Sequence, residues 1–105
     1  MTISNSNIRT PKDHVSEHAF RILKKLACDK AVRTEVSALI ERADNQGLFN
    51  KGNPKGMAAG IVYIACILNE DRMPLDTIGG AIGVSGSTVS KSYMTIARGL
   101  GFSER

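Results

Sequence analysis

Tryptophan is missing from this chain of 105 residues, and its aromatic side chains are two tyrosines and three phenylalanines. With so few large rings, a core has to be assembled from aliphatic side chains and alanine. Cysteine is scarcer still. Cys28 and Cys66 stand far apart in the sequence, with no Cys-x-x-Cys pair and no Cys/His cluster around them. That spacing excludes a disulfide scaffold and a cysteine-built zinc site, and it fits a reducing, intracellular setting. Long apolar runs are lacking too. The run from Met57 to Leu68 falls well short of the roughly 20 residues that cross a bilayer, so no membrane is implied. The first residues are polar and do not form a signal peptide. The length leaves room for one domain with one core and no second.

Carboxylates are absent from two stretches. Between Thr77 and Ser103 the only charged residues are Lys91 and Arg98, and between Asn45 and Asn69 they are Lys51 and Lys55. The acids lie mainly in the first two helical segments and at Glu70, Asp71 and Asp76. A formal charge of +4 and a pI near 9.3 favour a polyanionic partner only weakly, whereas two acid-free zones brought together would tolerate phosphates. The alternative is that these are ordinary solvated lysines. Catalytic sets are missing as well: there is no Ser/His/Asp constellation, phosphate-cradling glycine loop or convergent carboxylate pair, so neither an enzyme nor a cofactor is expected. His14-Val-Ser-Glu17-His18 does match H-x-x-E-H, an inverted zinc-peptidase motif. Its two histidines would share a helical face, but a third ligand and a substrate cleft need a far larger chain. A solvated helix start is the simpler reading, and no metal is expected.

What is present is helical periodicity. Residues 1–12 are polar and unpatterned and read as a disordered lead-in; the ordered domain is expected over 13–105. A first helix carries Val15, Ala19, Ile22, Leu23 and Leu26 on one face, with Arg21, Lys24 and Lys25 toward water. Asp29 is a plausible cap for a second, whose stripe is Val32, Val36, Leu39, Ile40 and Ala43, with Gly47 as its stop. Asn53-Pro54 opens a third, rich in small residues (Ala58, Ala59, Gly60, Ala65) that let neighbours approach closely, as the hub of a bundle does. A fourth is expected from Leu75 to about Ile82, although Gly79 and Gly80 cost about 1 kcal/mol each within a helix. A fifth follows a cap at Ser85 and runs to about Leu100. Five helices without a strand signal predict an all-α fold.

The stretch Ile82-Gly-Val-Ser-Gly-Ser-Thr-Val-Ser-Lys91 joins the last two helices as a helix-turn-helix does. Val89, Tyr93, Ile96, Ala97 and Leu100 form one apolar face, which leaves Ser87, Lys91, Met94 and Arg98 opposite it and Ser90 beside them. Candidate DNA-binding residues are therefore Ser85, Ser87, Thr88, Ser90, Lys91, Lys51, Lys55 and Arg98, with Ser87, Ser90 and Lys91 expected at the groove and Lys91, Arg98, Lys51 and Lys55 suited to phosphates. Lys51 and Lys55 flank the start of the third helix, where free N–H groups favour anions. The competing reading is a helix-turn-helix used only for packing or protein contact, with Met94 and the serine-rich helix start facing a protein. A stand-alone repressor, which would dimerise on two half-sites, is a third.

The block Gly52-Asn-Pro-Lys-Gly-Met-Ala-Ala-Gly-Ile-Val-Tyr-Ile-Ala65 resembles the signature of a cyclin-like repeat in the transcription initiation factor IIB family. Thr77-Ile78, Gly83-Val84, Thr88-Val89 and Tyr93 fall at that family's spacing for its helix-turn-helix. The match covers roughly Val15 to Leu100. It implies a five-helix cyclin-like domain ending in a helix-turn-helix, most like the second, C-terminal repeat, though Ala65-Cys66 and the ending Ala97-Arg-Gly-Leu-Gly-Phe102 lean toward the first. The wording of the blocks suggests an archaeal member, at work at the nucleoid in the cytoplasm; a eukaryotic one would be nuclear. In the family, the second repeat's helix-turn-helix enters the major groove just upstream of the TATA box. The paired repeats clasp TATA-binding protein on bent promoter DNA and help recruit RNA polymerase. The resemblance thus implies promoter DNA, TATA-binding protein, RNA polymerase, a preceding repeat and a zinc ribbon as partners, and a monomer.

There are departures. The family's reading helix often has an apolar residue and an arginine where this chain has Ser87 and Ser90. Losing a guanine-gripping arginine removes about 1–3 kcal/mol of base discrimination, so DNA affinity without the usual upstream-element preference is expected. The Gly79-Gly80 pair replaces better helix formers. The zinc ribbon and partner repeat do not occur in this sequence, which suggests an excised domain or a reduced paralogue.

Overall fold

The computed structural model describes residues 10–102; most of the expected lead-in, residues 1–9, lies outside them. Five helices follow in order: α1 (Pro11–Lys25), α2 (Lys30–Asn45), α3 (Pro54–Leu68), α4 (Leu75–Gly80) and α5 (Gly86–Gly99), with a 3-10 turn at Leu48–Asn50 between α2 and α3. Among the described residues there is no strand. The architecture is the all-α, five-helix cyclin-like domain closed by a helix-turn-helix that the sequence implied. No described helix is long and apolar enough to cross a membrane.

Local chemistry sets the helix starts. Thr10 Oγ1 accepts from Asp13 N while Asp13 Oδ2 accepts from Thr10 N, a capping box with Pro11 at the first helical position. Pro11 and Lys12, expected in the lead-in, therefore belong to α1. Asp29 Oδ1 accepts from Val32 N at 3.2 Å, and Asn53 Oδ1 accepts from Lys55 N at 2.8 Å and Gly56 N at 3.3 Å. Each cap satisfies donors that the first turn leaves without a partner.

Helix α3 is the hub, packing against α1, α2, α4 and α5. Ten of its fifteen residues are buried, from Gly56 to Cys66. Its small residues face α5: a Cβ placed on Gly60 would lie 2.8 Å from Tyr93 N, and one on Gly56 would lie 2.8 Å from Ser92 Oγ and 3.1 Å from Thr88 Cγ2. The two backbones thus cross almost in contact. Beside the crossing, the rings of Tyr63 and Tyr93 meet edge to face, 4.9 Å between centroids, a geometry worth about 0.5–1.5 kcal/mol beyond its area.

The fourth helix is shorter than expected. It ends at Gly80, and Ala81 to Gly83 form the turn. Gly83 adopts φ 79°, which lets Val84 N return to Gly79 O at 2.9 Å, and a side chain at residue 83 would oppose that backbone. Gly79 is required for packing, since an added methyl would collide with the Val84 carbonyl; Gly80 is exposed and meets nothing.

Two further features were not foreseen. Leu48 and Phe49 in the 3-10 turn are buried, and Arg42 of α2 donates through Nη2 to Leu100 O at 3.3 Å while its guanidinium sits 5.2 Å from the Phe102 ring centroid. This ties the end of α2 to the end of α5. Cys28 and Cys66, distant in sequence, are both buried free thiols, close enough for each to act on the other's ionisation. Burial raises the Cys28 pKa and pushes Cys66 up to about 12.

Candidate nucleic-acid interface

On α5, Val89, Ile96 and Ala97 are buried and Tyr93 and Leu100 half-buried, so the apolar stripe docks inward. Ser87, Lys91 and Arg98 are exposed and Ser90 half-buried. Met94, expected on the free face, is half-buried instead. It lies five residues from Val89, on the flank of the stripe rather than diametrically opposite it.

The start of α5 is organised by hydroxyls. Ser85 caps the helix, its Oγ accepting from Thr88 N at 3.2 Å. The same Oγ lies 3.1 Å from both Ser87 Oγ and Thr88 Oγ1. Thr88 also turns its methyl toward Gly56 of α3. Ser85 and Thr88 are therefore committed to holding the helix start, while Ser87, also bonded to Ser85, is exposed.

The cations divide. Lys51, Gly52 and Asn53, before α3, share a cleft of about 290 Å³ with Thr88, Lys91 and Ser92 of α5. The two acid-free zones of the sequence thus adjoin, with Lys51 and Lys91 on one cleft. Lys55 lines neither this cleft nor the next; it lies close enough to α1 for its charge to act on His18. Arg98 sits in the last turn of α5, two turns or about 10 Å along the axis from Lys91.

A second cleft, of about 570 Å³, runs along the free face of α5 between Ser87, Ser90 and Lys91 on one side and Pro74, Leu75 and Asp76 on the other. Asp76 is a residue of this face that the sequence does not signal. Its carboxylate packs against Gly86, where any side chain would collide with it, and it places an acid inside a surface expected to have none. Its position in the first turn of α4 hinted at a structural acid, but nothing local signalled the approach to α5.

The His14/His18 motif also lies differently from the solvated helix start expected of it. Both histidines are half-buried, and His18 Nδ1 is buried without a hydrogen-bond partner. Burial first, then the charges of Arg21 and Lys55, hold the His18 imidazole below its usual pKa. Among the described residues, no three metal-capable side chains come together.

An α-helical bundle whose last helix is braced by a short predecessor and leaves one polar, cationic face open belongs to the helix-turn-helix domains of the cyclin-like class. Over about nine-tenths of its length the chain is homologous to proteins named transcription initiation factor IIB, as the following similarities show. It is 31% identical over 93 residues to transcription initiation factor IIB of Saccharolobus shibatae, covering 89% of this chain and 29% of that protein. Against the factor of the same name from Methanopyrus kandleri the identity is 30% over 95 residues, 90% of this chain and 31% of the other. Against that of Aeropyrum pernix it is 26% over 104 residues, 99% and 32%. The chain spans about three-tenths of the length of the curated relatives it matches. No protein-family model matches the chain.

Proposed function

We propose that this chain is a promoter-binding module of a general transcription initiation factor, acting with TATA-binding protein to help recruit RNA polymerase. The observation that carries the reading is the open face of α5, where Ser87 and Lys91 are exposed and Lys51 shares a cleft with Lys91. Such a helix can enter a major groove by its N-terminal turns while lysines at its edge meet phosphates. Ser87, Ser90 and Lys91 would reach base edges; Lys51 and, further along, Arg98 would grip the strands; Lys55 contributes only through the general field. Ser85 and Thr88 act by holding the helix start. The relatives, named as transcription initiation factors, support the promoter setting and its nucleoid location.

A single repeat engages DNA weakly, near the non-specific range of about 10⁻⁴–10⁻⁶ M, and gains affinity in the cell by linkage to a second repeat and to TATA-binding protein. Anisotropy titrations of a TATA-containing duplex, with and without TATA-binding protein, test this across a range of salt. Lys51→Ala and Arg98→Ala, which remove the cations placed on the strands, should each lower the slope of log affinity against log salt by about 0.9. Binding that is absent at low salt, or whose salt dependence ignores both substitutions, would rule the reading out.

A further inference from the structure

The acid that intrudes on the free face of α5 deserves a chemical role of its own. Asp76 of α4 lines the larger cleft together with Ser87, Ser90 and Lys91 of α5, and the ion pairs found among the described residues, Lys12–Glu41 and Arg21–Glu17, do not involve it. Its carboxylate lies against Gly86, where an added Cβ would meet Oδ1. A carboxylate facing a duplex is repelled by phosphates, so it is compatible with binding only where a hydrogen-bond donor meets it. In the major groove the base-edge donors are the exocyclic amines of cytosine and adenine. Adenine sets its N7 acceptor beside that amine, and a carboxylate would face both. Cytosine has no acceptor at that position, and its paired guanine presents O6 and N7, which suit an ammonium group. One acceptor on α4 and one cationic donor on α5, lining a single cleft, match that arrangement of a C·G pair.

We propose that Asp76 is a specificity-determining residue whose carboxylate accepts a hydrogen bond from the N4 amine of a cytosine in the major groove, while Lys91 of the same cleft donates to the paired guanine. The assignment rests on the promoter-binding reading and adds to it a base preference that the serines alone cannot supply, since hydroxyls both donate and accept.

The test uses the whole chain and duplexes selected from a randomised library. The wild type should enrich a C·G pair at one position and prefer it over T·A there by on the order of tenfold. Asp76→Ala should bring that ratio to near one while leaving the other positions unchanged. Asp76→Asn should move the preference toward adenine, whose N6 and N7 an amide can engage together. A DNA-side control avoids any loss of folding in the variants: replacing the cytosine by 2-pyrimidinone, which lacks the amine, should cost the wild type its preference. If the ratio persists in Asp76→Ala, or the wild type is indifferent to the missing amine, the assignment is wrong. If Asp76→Ala merely binds every duplex more tightly with the ratio intact, Asp76 only repels DNA and the assignment is equally wrong. Failure of the wild type to bind any duplex would instead overturn the promoter-binding reading on which the assignment stands.

Discussion

Helices α3 and α5 are of nearly equal length and begin alike, each with a polar cap on its first turn, yet their fates differ. Helix α3 has ten buried residues and touches every other helix; α5 buries only Val89, Ile96 and Ala97 and leaves Ser87, Lys91 and Arg98 in water. Composition explains the contrast. Helix α3 carries no charge after Lys55 and uses glycine and alanine where α5 crosses it, so it can be enclosed. Helix α5 keeps a polar stripe that no neighbour covers. The scaffold helix fixes where the exposed helix points, and the exposed helix supplies the chemistry.

The contrast can be broken most severely at the crossing. Gly60→Val would drive a side chain into the Tyr93 backbone, which cannot move without shifting α5, and should cost about 3 kcal/mol or more, above the usual range for overpacking. A thermal melt reads this directly, and a midpoint close to wild type would mean the helices can separate at little cost. Ser85→Ala removes the cap of α5 and should cost about 1 kcal/mol by chemical denaturation. No loss would show that the hydroxyl cluster does not hold the helix start. Gly80→Ala acts in the opposite direction. The site is exposed, its φ is not in the left-handed region, and an added methyl meets nothing, so up to about 1 kcal/mol of stabilisation is expected. Destabilisation there would mean that α4 needs its softness.

The smallest effect is the pH response of His18, on the side of α3 where Lys55 points. Because its pKa is lower in the folded state than in the unfolded chain, protonation favours unfolding. The contribution is intact above the ordinary value of about 6.5 and is lost as pH falls from there through the lower folded value. His18→Gln should therefore lose less thermal stability than the wild type between about pH 7 and pH 5. Superimposable pH profiles would remove His18 from the account.

Local features of this fold are legible in the sequence. The caps at Asp29, Asn53 and Ser85, the inward stripe of α5 and the crowding of small residues on α3 follow from residue type and helical period. What was not legible depends on contacts between distant segments. Nothing near Asp76 announces that it meets Gly86, and nothing near Lys51 announces that it shares a cleft with Lys91, whereas Lys55, four residues on, turns the other way. Cys28 and Cys66 make the same point from within the core, since a linear spacing suited to no motif conceals two buried thiols near enough to influence each other. The end of α4 was misplaced because Gly83 reverses the chain after a helix whose apolar pattern continues to Ile82.

Backbone amide shifts recorded while a TATA-containing duplex is added, first alone and then with TATA-binding protein, test the central claim most directly. The account predicts that perturbations concentrate at residues 85–91 and around Lys51, weaken as salt rises, and leave the buried turns of α3 unmoved. Silence at residues 85–91 at low salt, with changes appearing elsewhere only on addition of the protein, would contradict it.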